Sequence, residues 1–233
     1  MKPRNTLATA ALPDGKTLAL IEQDGVYSVS IDGIELMSTR RHASEETLAQ
    51  LACAHLVKTP RARVLIGGLG FGYTLQAALA ILAVSARIVV AEILPEIIAW
   101  NRNPAYPLAH KTLEDRRVTV QQTDVVKLLK PATYDAILLD VDNGPAAFTT
   151  EDNQSLYSPP GLAQTQRALN PNGIVAYWSA AVDNRFEKRL VAAGFEVETH
   201  RARAHKTSGA HHTIYLACYP KRTKRGGYAG TVI

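Results

Sequence analysis

The 233-residue chain is 46% apolar and 20% charged, with a formal net charge of +5, a balance typical of a soluble folded domain that excludes disorder of the whole chain. That length suits one large domain, folding of which removes roughly 70–75% of the unfolded surface from water. Its apolar stretches break before the length a membrane span needs, and its two cysteines, Cys53 and Cys218, sit in apolar runs without metal-like spacing, so neither a zinc site nor a disulfide framework is expected.

The N-terminal residues MKPRNTLATAALPDG start basic but contain no apolar stretch of signal-peptide length, so a cytoplasmic location is expected. Residues 17–22 (TLALIE) and 26–31 (VYSVSI) flank an Asp-Gly pair, the signature of a β-hairpin. A second Asp-Gly at 32–33 precedes IELMS, so a small three-stranded meander is predicted over residues 1–43. A helix follows from about Ser44, a good N-cap residue. Glu45 and Glu46 lie at its positive end, and Leu48, Leu51, Ala52 and Leu56 supply an apolar stripe.

From residue 63 onward, strands alternate with helices. Strands are predicted at 63–67, 87–92, 117–123, 134–141 and 173–178, and helical stretches at about 72–83, 95–102, 124–129, 160–169 and 183–193. Apolar, β-branched strands in this alternation form a parallel sheet covered on both faces. Residues 195–201 and 213–219 then read as two strands with no helix between them, hence an antiparallel hairpin. The predicted fold is a Rossmann-like α/β domain of the class I methyltransferase type: a seven-stranded, mostly parallel sheet with an antiparallel C-terminal hairpin, over residues 44–220. Residues 221–233 form a basic tail. Arg201, Arg203, His205 and Lys206, with the tail cations, read as a solvated face and a frayed end; no nucleic-acid motif accompanies them, so no nucleic-acid partner is expected.

The strongest local motif is VLIGGLGFGYT, from Val64 to Thr74. It follows a strand and opens a helix, the context a nucleotide-binding turn requires. Gly67 and Gly68 begin it, and Gly68, Gly70 and Gly72 space as G-x-G-x-G. Tyr73 stands where a dinucleotide fingerprint needs glycine, which favours an S-adenosyl nucleotide over NAD. Glu92 ends the second parallel strand, followed by Ile93, and a carboxylate there is placed to accept both hydroxyls of a ribose; a solvent-facing strand end is the alternative. Asp124, followed by Val125, ends the third strand and suits an adenine amino group, an N-cap, or both. The fourth strand ends in Leu139-Asp140-Val141-Asp142-Asn143-Gly144-Pro145. Asp140 and Asp142 therefore fall at the carboxyl ends of the strands, where open α/β sheets bind ligands.

Taken together, the Asp-Gly hairpins with IDG at 31–33, the following helix, GGLGFG at 67–72, Glu92 and YDAILLDVDNGP at 134–145 resemble the spermidine synthases and their relatives in the methyltransferase-like superfamily. The resemblance implies that Glu92 binds ribose, that Asp124 binds adenine, and that Asp140 accepts the proton of an attacking amine with Asp142 as helper. It implies decarboxylated S-adenosylmethionine as co-substrate, a small amine as acceptor and a homodimer, without a metal. Members carry an acid within the glycine turn, where this chain has Gly70, and a glutamine in the hairpin, where it has Leu36. Their helix start offers tyrosine with glutamine or histidine, aligned here with Glu45 and Glu46. Their second aspartate aligns with Asn143 or, with a shorter loop, Asp142. Met37, Ser38, Arg40, His42, Glu45 and Glu46 form a polar cluster where an acceptor would enter; a capped helix start with solvated charges is the alternative. Methyl transfer from intact S-adenosylmethionine is the rival function, favoured by Gly70, and a non-catalytic nucleotide-binding module is the third reading.

Overall fold

The computed structural model describes residues 3–141, 155–205 and 210–219. Asp142, Asn143 and the basic tail lie outside them. Strands β1 (Asn5–Ala11), β2 (Thr17–Gln23), β3 (Val26–Ile31) and β4 (Ile34–Ser38) form one antiparallel sheet in chain order. The Asp24-Gly25 and Asp32-Gly33 turns all have positive φ, the backbone a two-residue hairpin demands. The predicted meander thus has a fourth strand, β1, which pairs with β2 around an irregularity between Thr6 and Ala8.

Helix α1 (Ala43–Cys53) leads into the main sheet: β5 (Arg63–Gly67), α2 (Tyr73–Ile81), β6 (Arg87–Glu92), α3 (Pro95–Arg102), α4 (His110–Leu113), β7 (Val118–Gln122), β8 (Tyr134–Leu139), α5 (Pro159–Ala168), β9 (Leu169–Ser179), α6 (Asn184–Ala192), β10 (Glu196–Arg203) and β11 (His211–Cys218). The strand order is β10-β11-β9-β8-β5-β6-β7, parallel throughout except for β11, which runs antiparallel to both neighbours. This is the α/β fold predicted from the sequence. The polar strand β10 (EVETHRAR) takes the edge, while the apolar β11 (HHTIYLAC) is inserted beside β9.

Side chains alternate across the central strands into two cores. Val64, Ile66, Ala136 and Leu138 join the face covered by α1, α2 and α3, together with Leu18, Leu20 and Val29 of the N-terminal sheet. Leu65, Ile137 and Leu139 join the opposite face, with Leu162 of α5, Phe186 and Leu190 of α6, and Tyr177 and Tyr215. Phe186 meets Tyr177 and Tyr215 edge-on at 5.0 and 5.3 Å, the arrangement ring quadrupoles favour. Because strand order reverses between β5 and β8, a crevice opens at the carboxyl ends of these two strands. No helix among the described residues is long and apolar enough to cross a membrane.

Candidate functional site

The turn after β5 is held from three sides. Gly68, Gly70 and Gly72 all have positive φ, at +85°, +51° and +79°. Two of them also lack room for a side chain: a Cβ on Gly68 would lie 2.4 Å from the Asp140 carbonyl oxygen, and one on Gly72 would lie 2.6 Å from Ala109 Cβ. Gly70 differs, since a Cβ there would meet only Met37 Sδ, at 3.8 Å. From the β6 side, Gly68 N–H donates to the Ala91 carbonyl at 2.9 Å, and from the β8 side Asp140 N–H donates to the Gly67 carbonyl at 3.0 Å. From below, the buried Asn101 of α3 donates to the Gly70 carbonyl at 2.8 Å and accepts from Ala109 N–H at 3.3 Å.

Glu92 stands at the end of β6, buried, with Oε2 accepting from Leu69 N–H and Oε1 from Leu94 N–H, each at 2.9 Å. Burial pushes this carboxyl above its ordinary pKa, while the amides of Leu94, Leu69, Ile93 and Gly70 pull the other way. The carboxylate is thus engaged by backbone amides of the glycine turn and of the strand end. The neighbouring Ile93 is 60% exposed, an uncovered apolar side chain at the strand end. Asp124 caps the short 3-10 turn Val125–Leu128 by accepting from Val126 N–H at 2.8 Å, and Val125 packs where a Cβ on Gly67 would stand.

On the other side of the turn lies a cavity of about 550 Å³, bounded by the end of β4, the start of α1, the glycine turn, the end of β8, the end of β9 and the β10–β11 hairpin. Asp140 and Glu45 both line it. Burial pushes the Asp140 carboxyl up to about 7. Glu45 is likewise raised well above the carboxylate range, by burial first and then by the charges of Asp140 and Glu46. Glu45 Oε2 and the Trp178 indole N–H are shut off from solvent without a hydrogen-bond partner.

The polar cluster predicted at the helix start divides. Met37, Ser38 and Glu45 reach the cavity, whereas Arg40, His42 and Glu46 do not line it. Arg40 is exposed, and His42 stacks on Tyr73 at 4.1 Å with Nδ1 2.9 Å from Glu46 Oε1. Ser44 is not the cap: the N-cap position is His42, and Ser44 is buried inside the first turn with Oγ 2.9 Å from His212 Nδ1. His212 also packs edge-on against Trp178 at 4.5 Å. Its pKa is lowered by burial, then by the charges of Arg41 and His211. Sequence reading missed Ser44, Trp178 and His212 as cavity residues, and Asn101 as the brace of the turn. Periodicity gives no signal for contacts across such chain separations. Among the described residues, no group of three or more His, Cys, Asp or Glu could hold a metal.

The reversal of strand order at β5, the glycine turn opening α2 and the inserted antiparallel β11 define a class I methyltransferase-like domain. Its solved neighbours are narrower. The structure of spermidine synthase from Thermotoga maritima superposes with a TM-score of 0.70 over 92% of this chain and 72% of that one, at 15% identity. A spermidine synthase in complex with the transition-state analogue AdoDATO superposes with a TM-score of 0.69 over the same shares, also at 15% identity. The chain therefore has the spermidine synthase fold, small N-terminal sheet included. No protein-family model matches the sequence, and no curated protein matches it.

Proposed function

We propose that the protein is a transferase that moves an aminopropyl-type group from decarboxylated S-adenosylmethionine to a small amine. The observation that carries this reading is the partly buried Asp140, whose backbone is locked against the glycine turn on one side while its side chain lines a cavity on the other. In this reading the co-substrate lies over Gly67 and Gly68, Glu92 accepts its ribose hydroxyls, and Asp124, Ile93 and Val125 frame the adenine. Support comes from the uncovered apolar side chain of Ile93 beside Glu92 and from the open space at Gly70, where a side chain would meet only Met37 Sδ. The AdoDATO complex of a protein with the same fold supports the donor class.

The chemistry asks little beyond placement. An amine attacks the carbon beside a sulfonium and a neutral thioether departs, so no acid is needed for the leaving group. The amine must lose its proton first, because its unperturbed pKa is about 10, like that of lysine. Asp140, with a carboxyl raised to about 7, is better matched to take that proton than an ordinary aspartate. Holding the two reactants in line supplies roughly 7–11 kcal/mol in well-oriented cases.

Gly70 favours a second reading, methyl transfer from intact S-adenosylmethionine, because no carboxylate stands in the turn to hold a donor ammonium or repel a donor carboxylate. Calorimetric titration with S-adenosylmethionine, its decarboxylated form and methylthioadenosine separates the two. Tighter binding of the decarboxylated donor supports aminopropyl transfer, and tighter binding of the intact donor supports methyl transfer. Failure of all three to bind removes both.

A further inference from the structure

Glu45 is half-buried in the first turn of α1, and its neighbours along the chain are turned to other partners. Arg41 pairs with Glu35, His42 with Glu46, and Ser44 with His212. Glu45 Oε2 is left without solvent and without a partner, an arrangement that costs free energy until a donor arrives. Asp140 faces the same cavity from the end of β8, and the flat ring of Trp178 forms part of the wall they share. Two carboxylates near each other cannot both ionise cheaply in such a place, and a cation between them removes the difficulty.

Resting on the amine-acceptor reading above, we propose that Glu45 and Asp140 act as one acidic pair that clamps the acceptor's ammonium group, Asp140 taking its proton and Glu45 holding the positive charge through the transfer. The empty pair holds one proton. Entry of the ammonium releases that proton to solvent and leaves both carboxylates ionised around the cation. Asp140 then takes one proton from the ammonium, and the freed nitrogen lone pair forms the new bond to carbon. The carbon–sulfur bond breaks with its electron pair going to sulfur. The product is a secondary ammonium beside Glu45, and its departure leaves the pair with a single proton, as at the start. Other titratable groups near the pair are His42 at the N-cap of α1 and Glu46 on it, Glu35 of β4 and Arg41 beyond it, Tyr73 at the start of α2, His205 after β10, and His212 on β11.

Calorimetry on the full chain tests this with n-propylamine and 1,4-diaminobutane as probes and propan-1-ol as the uncharged control, near pH 6.5 in buffers of different ionisation enthalpy. The wild-type protein should bind the amines with release of a proton and show no comparable binding of the alcohol. Glu45→Gln should weaken amine binding by about tenfold or more, equivalent to roughly 1.4 kcal/mol. Glu45→Asp, which keeps the charge, should retain most of the affinity. Amine binding unchanged in Glu45→Gln, amine binding without proton release, or no amine binding by the wild-type chain would each overturn the pair. The amine titrations are run with and without methylthioadenosine, so the outcomes separate. Amine binding without nucleotide binding removes the transferase reading and leaves the clamp, and the reverse removes the clamp alone.

Discussion

The carboxylate of Glu92 accepts the Leu69 backbone N–H at 2.9 Å, joining the end of β6 to the middle of the glycine turn. The same side chain closes back on Leu94 N–H at 2.9 Å. Glu92→Gln replaces one acceptor oxygen with an NH₂ that must face an amide N–H, so a buried hydrogen bond becomes a donor–donor contact. Stability should fall by about 1–3 kcal/mol, the cost of an unsatisfied buried group, and affinity for methylthioadenosine should fall at least about tenfold. Thermal melts and calorimetry read the two effects. Loss of stability with full nucleotide affinity would limit Glu92 to bracing the turn.

Asn101 braces the turn without facing the cavity. Its amide donates to the Gly70 and Ile97 carbonyls, each at 2.8 Å, and its oxygen accepts from Ala109 N–H. Asn101→Ala removes both bonds to the carbonyls and the acceptor for Ala109 N–H. A loss of about 3 kcal/mol is expected from three such bonds at about 1 kcal/mol each. Amide hydrogen exchange at residues 68–72 should speed up in the variant. Unchanged protection there would mean that the other contacts of the turn suffice to hold it.

The difference between these two residues shows what the sequence made legible. Glu92 was readable because it ends a β-branched strand twenty residues after Gly72. The main sheet was readable for the same reason, since Val64, Leu65 and Ile66 are buried on both faces and so form an unbroken apolar run. Strand β1 was not, because NTLATAA carries little alternation and its structure depends on pairing with β2. The far wall of the cavity was hidden as well. Ser44 and His212 are 168 residues apart, and only the insertion of β11 beside β9 brings His212 and Trp178 against the start of α1. Each of these residues has an ordinary role in its own segment, so no local pattern marks it.

Gly68 and Gly70 should respond oppositely to a side chain. At Gly68 a Cβ would overlap the Asp140 carbonyl oxygen at 2.4 Å in a positive-φ backbone, so Gly68→Ala should cost about 2–4 kcal/mol. At Gly70 the space is open and φ is +51°, a region aspartate tolerates better than most residues. Gly70→Asp should therefore cost only about 1 kcal/mol. If the donor's tail passes this point, the new carboxylate attracts its ammonium and repels the carboxylate of the intact donor. The affinity ratio of decarboxylated to intact S-adenosylmethionine should then rise about tenfold or more in calorimetry. A ratio that stays put in a folded Gly70→Asp protein would show that the tail runs elsewhere.

Asp140 gives a pH signature with a definite sign. Its folded carboxyl is raised by burial to about 7, against about 3.9 when unfolded. Below about pH 4 both states are protonated and the side chain has no effect on the balance. Between about 4 and 7 the unfolded chain ionises while the folded one holds its proton, so stability from this group falls as pH rises and levels off above about 7. The total is on the order of 1–4 kcal/mol, at 1.36 kcal/mol per pKa unit. Asp140→Asn cannot ionise and should therefore be more stable than the wild type at pH 8, with the advantage gone by pH 4, as read from urea melts at the two pH values. Turnover should depend on the same ionisation in the opposite sense. The base must be free to accept a proton, so the wild-type rate should rise through an apparent pKa near 7, and Asp140→Asn should lose at least about a hundredfold in kcat with nucleotide affinity retained. A variant that gains stability at high pH yet turns over normally would keep the burial argument and remove Asp140 as the base.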